Sequence, residues 1–348
     1  MCRPTALASF ATLVSLLCPA FHTVPLAGEL QRDWPSQPLT LHRDGETPPV
    51  VTAVCLHPEG RWVAAAGDDH VVRIIDAETG RLHQRWRAHH DWIRCAAYSP
   101  DGNQLATSGN DGQVILWSRS GQNGYHILDR LDKAVGSLRY SPDGRWLAVA
   151  GFDAVVRLYD LRKLEPVATR PTSCTGIQTL EFSPDGSRMA AAGRDGRIRV
   201  YAGPMFDDAS ELSGHRQRVR ALAYTSDGKL LFSAGDDGGI HAWDGVSGVE
   251  AFVLPGGAYK VFSLTIVGPT RLAAGASDNQ IRLWDFQSQR LEAEFSAHKG
   301  TVATLDCRGD VLLSGSYDTT VRLWRRPPEQ RLAPRTKSTA PAVLFTGQ

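Results

Sequence analysis

Three histidines in this sequence each head the same four-residue set. The sets are His89–Thr107–Asp111–Trp117, His215–Ser233–Asp237–Trp243 and His298–Ser314–Asp318–Trp324. An imidazole, a hydroxyl and a carboxylate together are the material of nucleophilic catalysis. The recurrence argues against that chemistry, because the set appears three times at equivalent places and ends in an indole rather than a cleft. It predicts instead a chain of hydrogen bonds running from indole N–H to hydroxyl, from hydroxyl to imidazole, and from imidazole to carboxylate. Each member left buried and unpaired costs roughly 1–3 kcal/mol. The strings His89–His90–Asp91, Asp68–Asp69–His70 and Asp236–Asp237 resemble metal ligands, but His89 belongs to its hydrogen-bonding set with His90 and Asp91 in the loop after it, and the other two strings read as turn residues first. No metal site and no cofactor is expected. Arginine also recurs, at Arg73, Arg157, Arg199, Arg282 and Arg322. A ring of arginines would suit a polyanion channel. The simpler expectation is an alkyl stem lying along a neighbouring sheet, with the head in water or on a carboxylate.

These residues sit on a ladder. YSPDG occurs at 98–102 and 140–144, FSPDG at 182–186, YTSDG at 224–228 and the weaker LHPEG at 56–60, each 42 residues after the last. The aspartates Asp69, Asp111, Asp153, Asp195, Asp237, Asp278 and Asp318 keep the same step, shortening to 41 and 40 at the end. Within one repeat the runs WIRCAAY, NQLATSG, VILW and YHILDR are separated by turn residues, with no window of helical period. That is a four-stranded antiparallel sheet. Such a sheet has two apolar faces, and seven of them stacked about an axis bury both.

The chain resembles the WD-repeat (WD40) β-propellers. The residues that carry the resemblance are AH at 88–89 and 297–298, GH at 214–215, the turn aspartates, WD at 243–244 and 284–285, and the near match YD at 159–160. The resemblance implies an all-β, seven-bladed propeller over residues 38–325. Residues 38–43, PLTLHR, are expected to supply the fourth strand of the last blade and close the ring. The pattern is uneven. Asp153 and Asp195 have no histidine at the matching place, the first repeat has Ala65 and Ile75 for the hydroxyl and the indole, and Ala274 stands where Asp278 would want a hydroxyl.

Composition bounds the function. With 38 basic and 37 acidic residues, the net charge of +1 excludes a generally basic nucleic-acid binder. Six scattered cysteines with no CxxC exclude a zinc ribbon and a thioredoxin-like site. Residues 1–28 carry a single charge, Arg3, and an apolar run from Thr5 to Cys18, which reads as a secretory signal. Export to a periplasm or the extracellular space follows if it is real, and a cytoplasmic place otherwise. The run is too short to span a membrane, which takes about 20 apolar residues. Residues 29–37 read as a linker, and 326–348 as a basic, proline-rich, disordered tail.

A propeller fixes no function by itself. No phosphate loop, nucleophile motif or zinc spacing is present. The leading expectation is a non-catalytic scaffold that binds a protein or peptide on its top rim. The alternative is a propeller enzyme or small-ligand binder with a site at the central channel. Strand order places the rim at the start of each inner strand and just before each turn aspartate. The partner-binding candidates are Trp92, Arg94, Phe152, Arg194, Arg218, Arg220, Asp236, Lys260, Phe262 and Tyr317. Arg194, Arg218, Arg220 and Lys260 fall in consecutive repeats, which points to an acidic or carboxylate-bearing partner segment.

Overall fold

A computed structural model describes residues 34–42, 46–87, 89–118, 124–172, 174, 176–203 and 205–327. The expected secretory signal and nearly all of the expected tail lie outside these residues. Among the described residues every regular element is a strand, and the strands form seven four-stranded antiparallel sheets. Blades 1 to 7 begin with the inner strands Val51–Leu56, Ile93–Tyr98, Val135–Tyr140, Ile177–Phe182, Val219–Tyr224, Val261–Val267 and Val302–Arg308. Among the described residues no helix is long and apolar enough to cross a membrane.

The core is divided among seven clusters of buried side chains, and each draws on two neighbouring blades. Between blades 1 and 2, for example, Ala64, Val72 and Ile74 meet Ile93, Leu105 and Trp117. A single sheet therefore has no core of its own, and stacking is what makes each one stable.

The recurring turn explains why the repeats keep register at the end away from the rim. The Ser99 hydroxyl donates to Asp101 at 2.6 Å, that carboxylate takes the Asn103 amide, and Gly102 turns the chain at φ +72°. Ser141–Asp143, Ser183–Asp185 and Thr225–Asp227 repeat the arrangement. At the rim end the second strand of blades 1 to 5 finishes in glycine for lack of room. A Cβ on Gly67 would lie 1.9 Å from the Val50 carbonyl oxygen, and one on Gly109 2.4 Å from that of Trp92.

The ring closes as expected, but with a shorter strand. Ser36–Leu39, not residues 38–43, pairs with Val321–Arg325, with Ser36 opposite Trp324 and Leu39 opposite Val321. The strand stops there because the chain turns toward blade 1. The Thr40 amide donates to the Gly80 carbonyl at 2.9 Å, and the Leu41 carbonyl accepts from the Arg73 guanidinium. Pro38 is tolerated because this is the outermost strand of its sheet.

Candidate functional site

The three histidine sets form the predicted chains. His89 Nδ1 lies 3.0 Å from Asp111, its Nε2 2.8 Å from the Thr107 hydroxyl, and Trp117 Nε1 donates to that hydroxyl at 2.8 Å. His215, Ser233, Asp237 and Trp243 repeat this at 2.9, 2.7 and 2.8 Å. His298, Ser314, Asp318 and Trp324 do so at 3.1, 2.7 and 2.9 Å. Because the carboxylate can only accept, Nδ1 carries the proton and Nε2 accepts from the hydroxyl. Burial works against the Asp111 charge, but the His89 ring and the His90 amide win and hold its carboxyl down at about 2. Thr107, Ser233 and Ser314 are completely buried, so no substrate atom reaches these hydroxyls.

The arginine ladder has a role that the sequence reading left open between water and a carboxylate. Where no imidazole reaches the turn aspartate, Arg73, Arg157, Arg199 and Arg282 reach Asp69, Asp153, Asp195 and Asp278 of their own repeats. Blade 1 does have a histidine at the matching place by register, His42, but its Nδ1 is buried with no partner among the described residues. The guanidinium takes the carboxylate that the imidazole takes in blades 2, 5 and 7. The signal was legible in part: each of these aspartates has an arginine four residues on, but so does Asp318, which His298 holds. In blade 4 the buried Cys174 thiol also hydrogen-bonds Asp195. Blade 6 shows the cost of its Ala274: Trp284 Nε1 is buried with no partner among the described residues.

At the rim, each of the seven inner strands is bulged just after its first residue. A bulge re-aims the side chain at that point. The bulged positions include Arg94, Arg220 and Phe262. A backbone hydrogen bond latches the residue before the turn aspartate to the loop entering the inner strand. Asn110 to Trp92, Phe152 to Ala134, Asp236 to Arg218, Ser277 to Lys260 and Tyr317 to Thr301 are five such latches. The fold therefore brings the rim candidates together in two groups. In the first, the Arg94 guanidinium sits 5.8 Å from the Phe152 ring centre and donates to Asn110, with Trp92 exposed beside it. Arg194 adjoins this group, its aliphatic stem lying where a Cβ on Gly176 would be, next to Phe152. In the second, Arg220 is 4.4 Å from the Phe262 ring centre, and Phe262 meets Tyr317 edge to face at 6.2 Å.

The four cations of the arc are not equally free. Asp236 accepts from both Nε and Nη2 of Arg220 and lies 4.0 Å from Arg218. Arg194 and Lys260 are exposed, and among the described residues no carboxylate pairs with either.

Along the axis the inner strands enclose a channel of about 600 Å³. Arg139 donates to Glu181 at 3.1 Å across its waist, and Asp306 takes the Leu56 and Cys307 amides. Burial pushes the Glu181 and Asp306 carboxyls and the Cys55 thiol upward. The Arg139 and Glu181 side chains keep about a third of their surface open to the channel, 37% and 28%. The sequence reading did not single out these waist residues. Their signal is one charged residue at the fifth inner-strand position in repeats three, four and seven.

Comparison with known proteins bears on this geometry at the level of the repeat. A family profile described as WD domain, G-beta repeat matches residues 36–76, 80–118, 126–160, 164–202, 207–244 and 289–325, more than half of the chain. The chain belongs to the WD-repeat family. The unmatched stretch, 245–288, holds most of blade 6, where the hydroxyl and the histidine are both missing. Among curated proteins, the serine-threonine kinase receptor-associated protein of Bos taurus is 33% identical over 72 residues, 21% of each chain. The Dictyostelium discoideum protein of that name is 31% identical over 94 residues, 27% of this chain and 32% of its own. Protein HIR1 of Candida albicans is 34% identical over 85 residues, 20% of this chain and 9% of its own. The chain thus spans a third or less of the length of these relatives.

Proposed function

We propose that this WD-repeat protein is a non-catalytic scaffold whose rim, along the arc from blade 4 to blade 6, binds an acidic or carboxylate-bearing segment of a protein. The observation that carries the reading is four cations, Arg194, Arg218, Arg220 and Lys260, set against the single carboxylate Asp236, on a chain of net charge +1. The Asp236 pair pre-orients Arg220 against Phe262, and a preorganised guanidinium loses less freedom when a carboxylate docks. Exposed Tyr317 beside Phe262 supplies an aromatic anchor of the kind that interface hot spots favour. The non-catalytic part rests on the sealed hydroxyls of the three histidine sets. That the partner is not a nucleic acid rests on the balanced charge.

The test uses Arg194 and Lys260, which no carboxylate pairs with among the described residues. Arg194→Glu with Lys260→Glu should abolish capture of a glutamate-rich peptide by the full chain and remove its salt dependence, with the fold unchanged. Capture by the double variant at low salt as strong as wild type overturns the reading. A second reading, a small ligand in the axial channel, is favoured by Arg139, Glu181 and Asp306 at the waist. Glu181→Gln would then change ligand uptake and leave peptide capture alone. Export is proposed on the apolar run from Thr5 to Cys18. Mass spectrometry of the protein from its own cells should show a shortened N-terminus, and an intact Met1 overturns it.

A further inference from the structure

Blade 5 repeats the hydrogen-bond chain of blades 2 and 7 with four differences, and all four fall around one point. In blade 2 the outer edge of the turn carboxylate is capped by a side chain, with Gln113 Nε2 donating to Asp111 at 2.9 Å. In blade 7 the Thr320 hydroxyl donates to Asp318 at 2.6 Å. The same position in blade 5 is Gly239, which offers Asp237 only its backbone amide at 3.3 Å. Two residues on, where blade 2 has Ile115 and the other five blades have arginine, stands His241. Its ring centre is 4.1 Å from that of His215. Glu250, on the outer strand, places Oε2 3.4 Å from His241 Nδ1. Gly214 replaces the alanine that precedes the histidine in blades 2 and 7, and a Cβ there would lie 3.3 Å from His241 Nδ1 and 3.1 Å from Glu250 Oε2.

We infer that His215, Asp237 and His241 form a binding site for one divalent zinc ion, with Glu250 orienting His241. One ligand atom from each of the three residues already lies within 4.8 Å of the others. Tetrahedral zinc, with bonds of about 2.0–2.2 Å to nitrogen and oxygen, brings its ligand atoms to roughly 3.3–3.6 Å apart, so a contraction of about 1 Å completes the set. Two imidazoles and a carboxylate suit zinc better than calcium or magnesium, which take oxygen ligands. The outer partners are in place. Glu250 holds His241 Nδ1 and turns Nε2 toward the Asp237 side, where a Cβ on Gly239 would lie 3.1 Å from it, and Ser233 holds His215 Nε2. Zinc displaces the His215 Nδ1 proton that now bonds Asp237. That proton moves to Nε2, so the imidazole stays neutral, none is released, and His215 turns from acceptor to donor toward Ser233. The fourth position falls to water. The tight side chains at Gln113 and Thr320 close the equivalent point in blades 2 and 7.

The test is calorimetric titration of the untagged full chain with zinc, together with cobalt substitution read by visible absorption. The expected result is one ion per chain and a four-coordinate cobalt spectrum. His241→Arg installs the residue that five other blades carry and should fold normally while losing stoichiometric binding. Gly239→Gln installs the cap of blade 2 and should weaken binding at least about tenfold, and Glu250→Gln should do so by about 10–100-fold. These two variants carry the test if His241→Arg does not fold. Wild-type protein that takes up no zinc at micromolar concentration overturns the inference. So does His241→Arg or Gly239→Gln that binds as tightly as wild type.

Discussion

Trp284 marks the difference a single hydroxyl makes. Its indole N–H is buried without a partner among the described residues, whereas Trp117, Trp243 and Trp324 each donate to a hydroxyl at 2.8–2.9 Å. Ala274→Ser places an acceptor at the matching position and should raise stability by about 1 kcal/mol. The check is a higher urea midpoint with an unchanged slope. Asp111→Ala acts in the opposite direction. It leaves the His89 ring and the His90 and Gln113 amides unpaired, and should cost about 1–3 kcal/mol in the same measurement. The backbone carries a residue-scale strain as well. The position after each turn aspartate is left-handed in all seven repeats, occupied by His70, Gly112, Ala154, Gly196, Gly238, Asn279 and Thr319. Ala154 sits at φ +60°, so Ala154→Gly should stabilise the chain by about 0.5–1 kcal/mol.

At the scale of the element, the closing strand is the most exposed dependency. Ser36–Leu39 is only four residues long, yet it covers the outer edge of blade 7 and joins the two ends of the chain. Trp34 and Leu41 flank it and are buried, with Trp34 5.6 Å from the ring of Phe295 in the neighbouring blade. Trp34→Ala should cost about 3–5 kcal/mol by thermal unfolding, since it empties a large site in the junction of blades 6 and 7. An unchanged melting temperature would show that the ring is held shut by other contacts.

The whole molecule should lose stability in acid, and the sign follows from the turn carboxylates. Hydrogen bonds from Ser183 and Ser187 hold Asp185 at about 2, and the His89 set holds Asp111 at about 2 despite burial. Asp101, Asp143, Asp227 and Asp318 are lowered as well. A carboxyl with a depressed folded pKa stabilises above its unfolded value, near 3.9, and that contribution is lost as pH falls through the folded value. Burial raises Glu181 and Asp306 at the channel waist, so these two act in the opposite sense. With more groups depressed than raised, the melting temperature should drop between about pH 4 and pH 2. Asp185→Asn should flatten part of that drop.

The ladder of turns and aspartates was enough to determine the number of blades, their four strands, the closure of the ring and the membership of the three hydrogen-bond chains. These features repeat, and a repeat makes local signals agree seven times over. Tertiary structure decided what depends on neighbours that do not repeat. It shortened the closing strand, because Thr40 and Leu41 find partners in blade 1. It gave four of the ladder arginines to the turn aspartates that no imidazole reaches. It divided the rim cations into those held by Asp236 and those left exposed. It also set His241 and Glu250 beside His215, from another strand and at spacings no motif describes. Side-chain direction and the distance between strands fix such pairings, and neither is written in the order of residues along one strand.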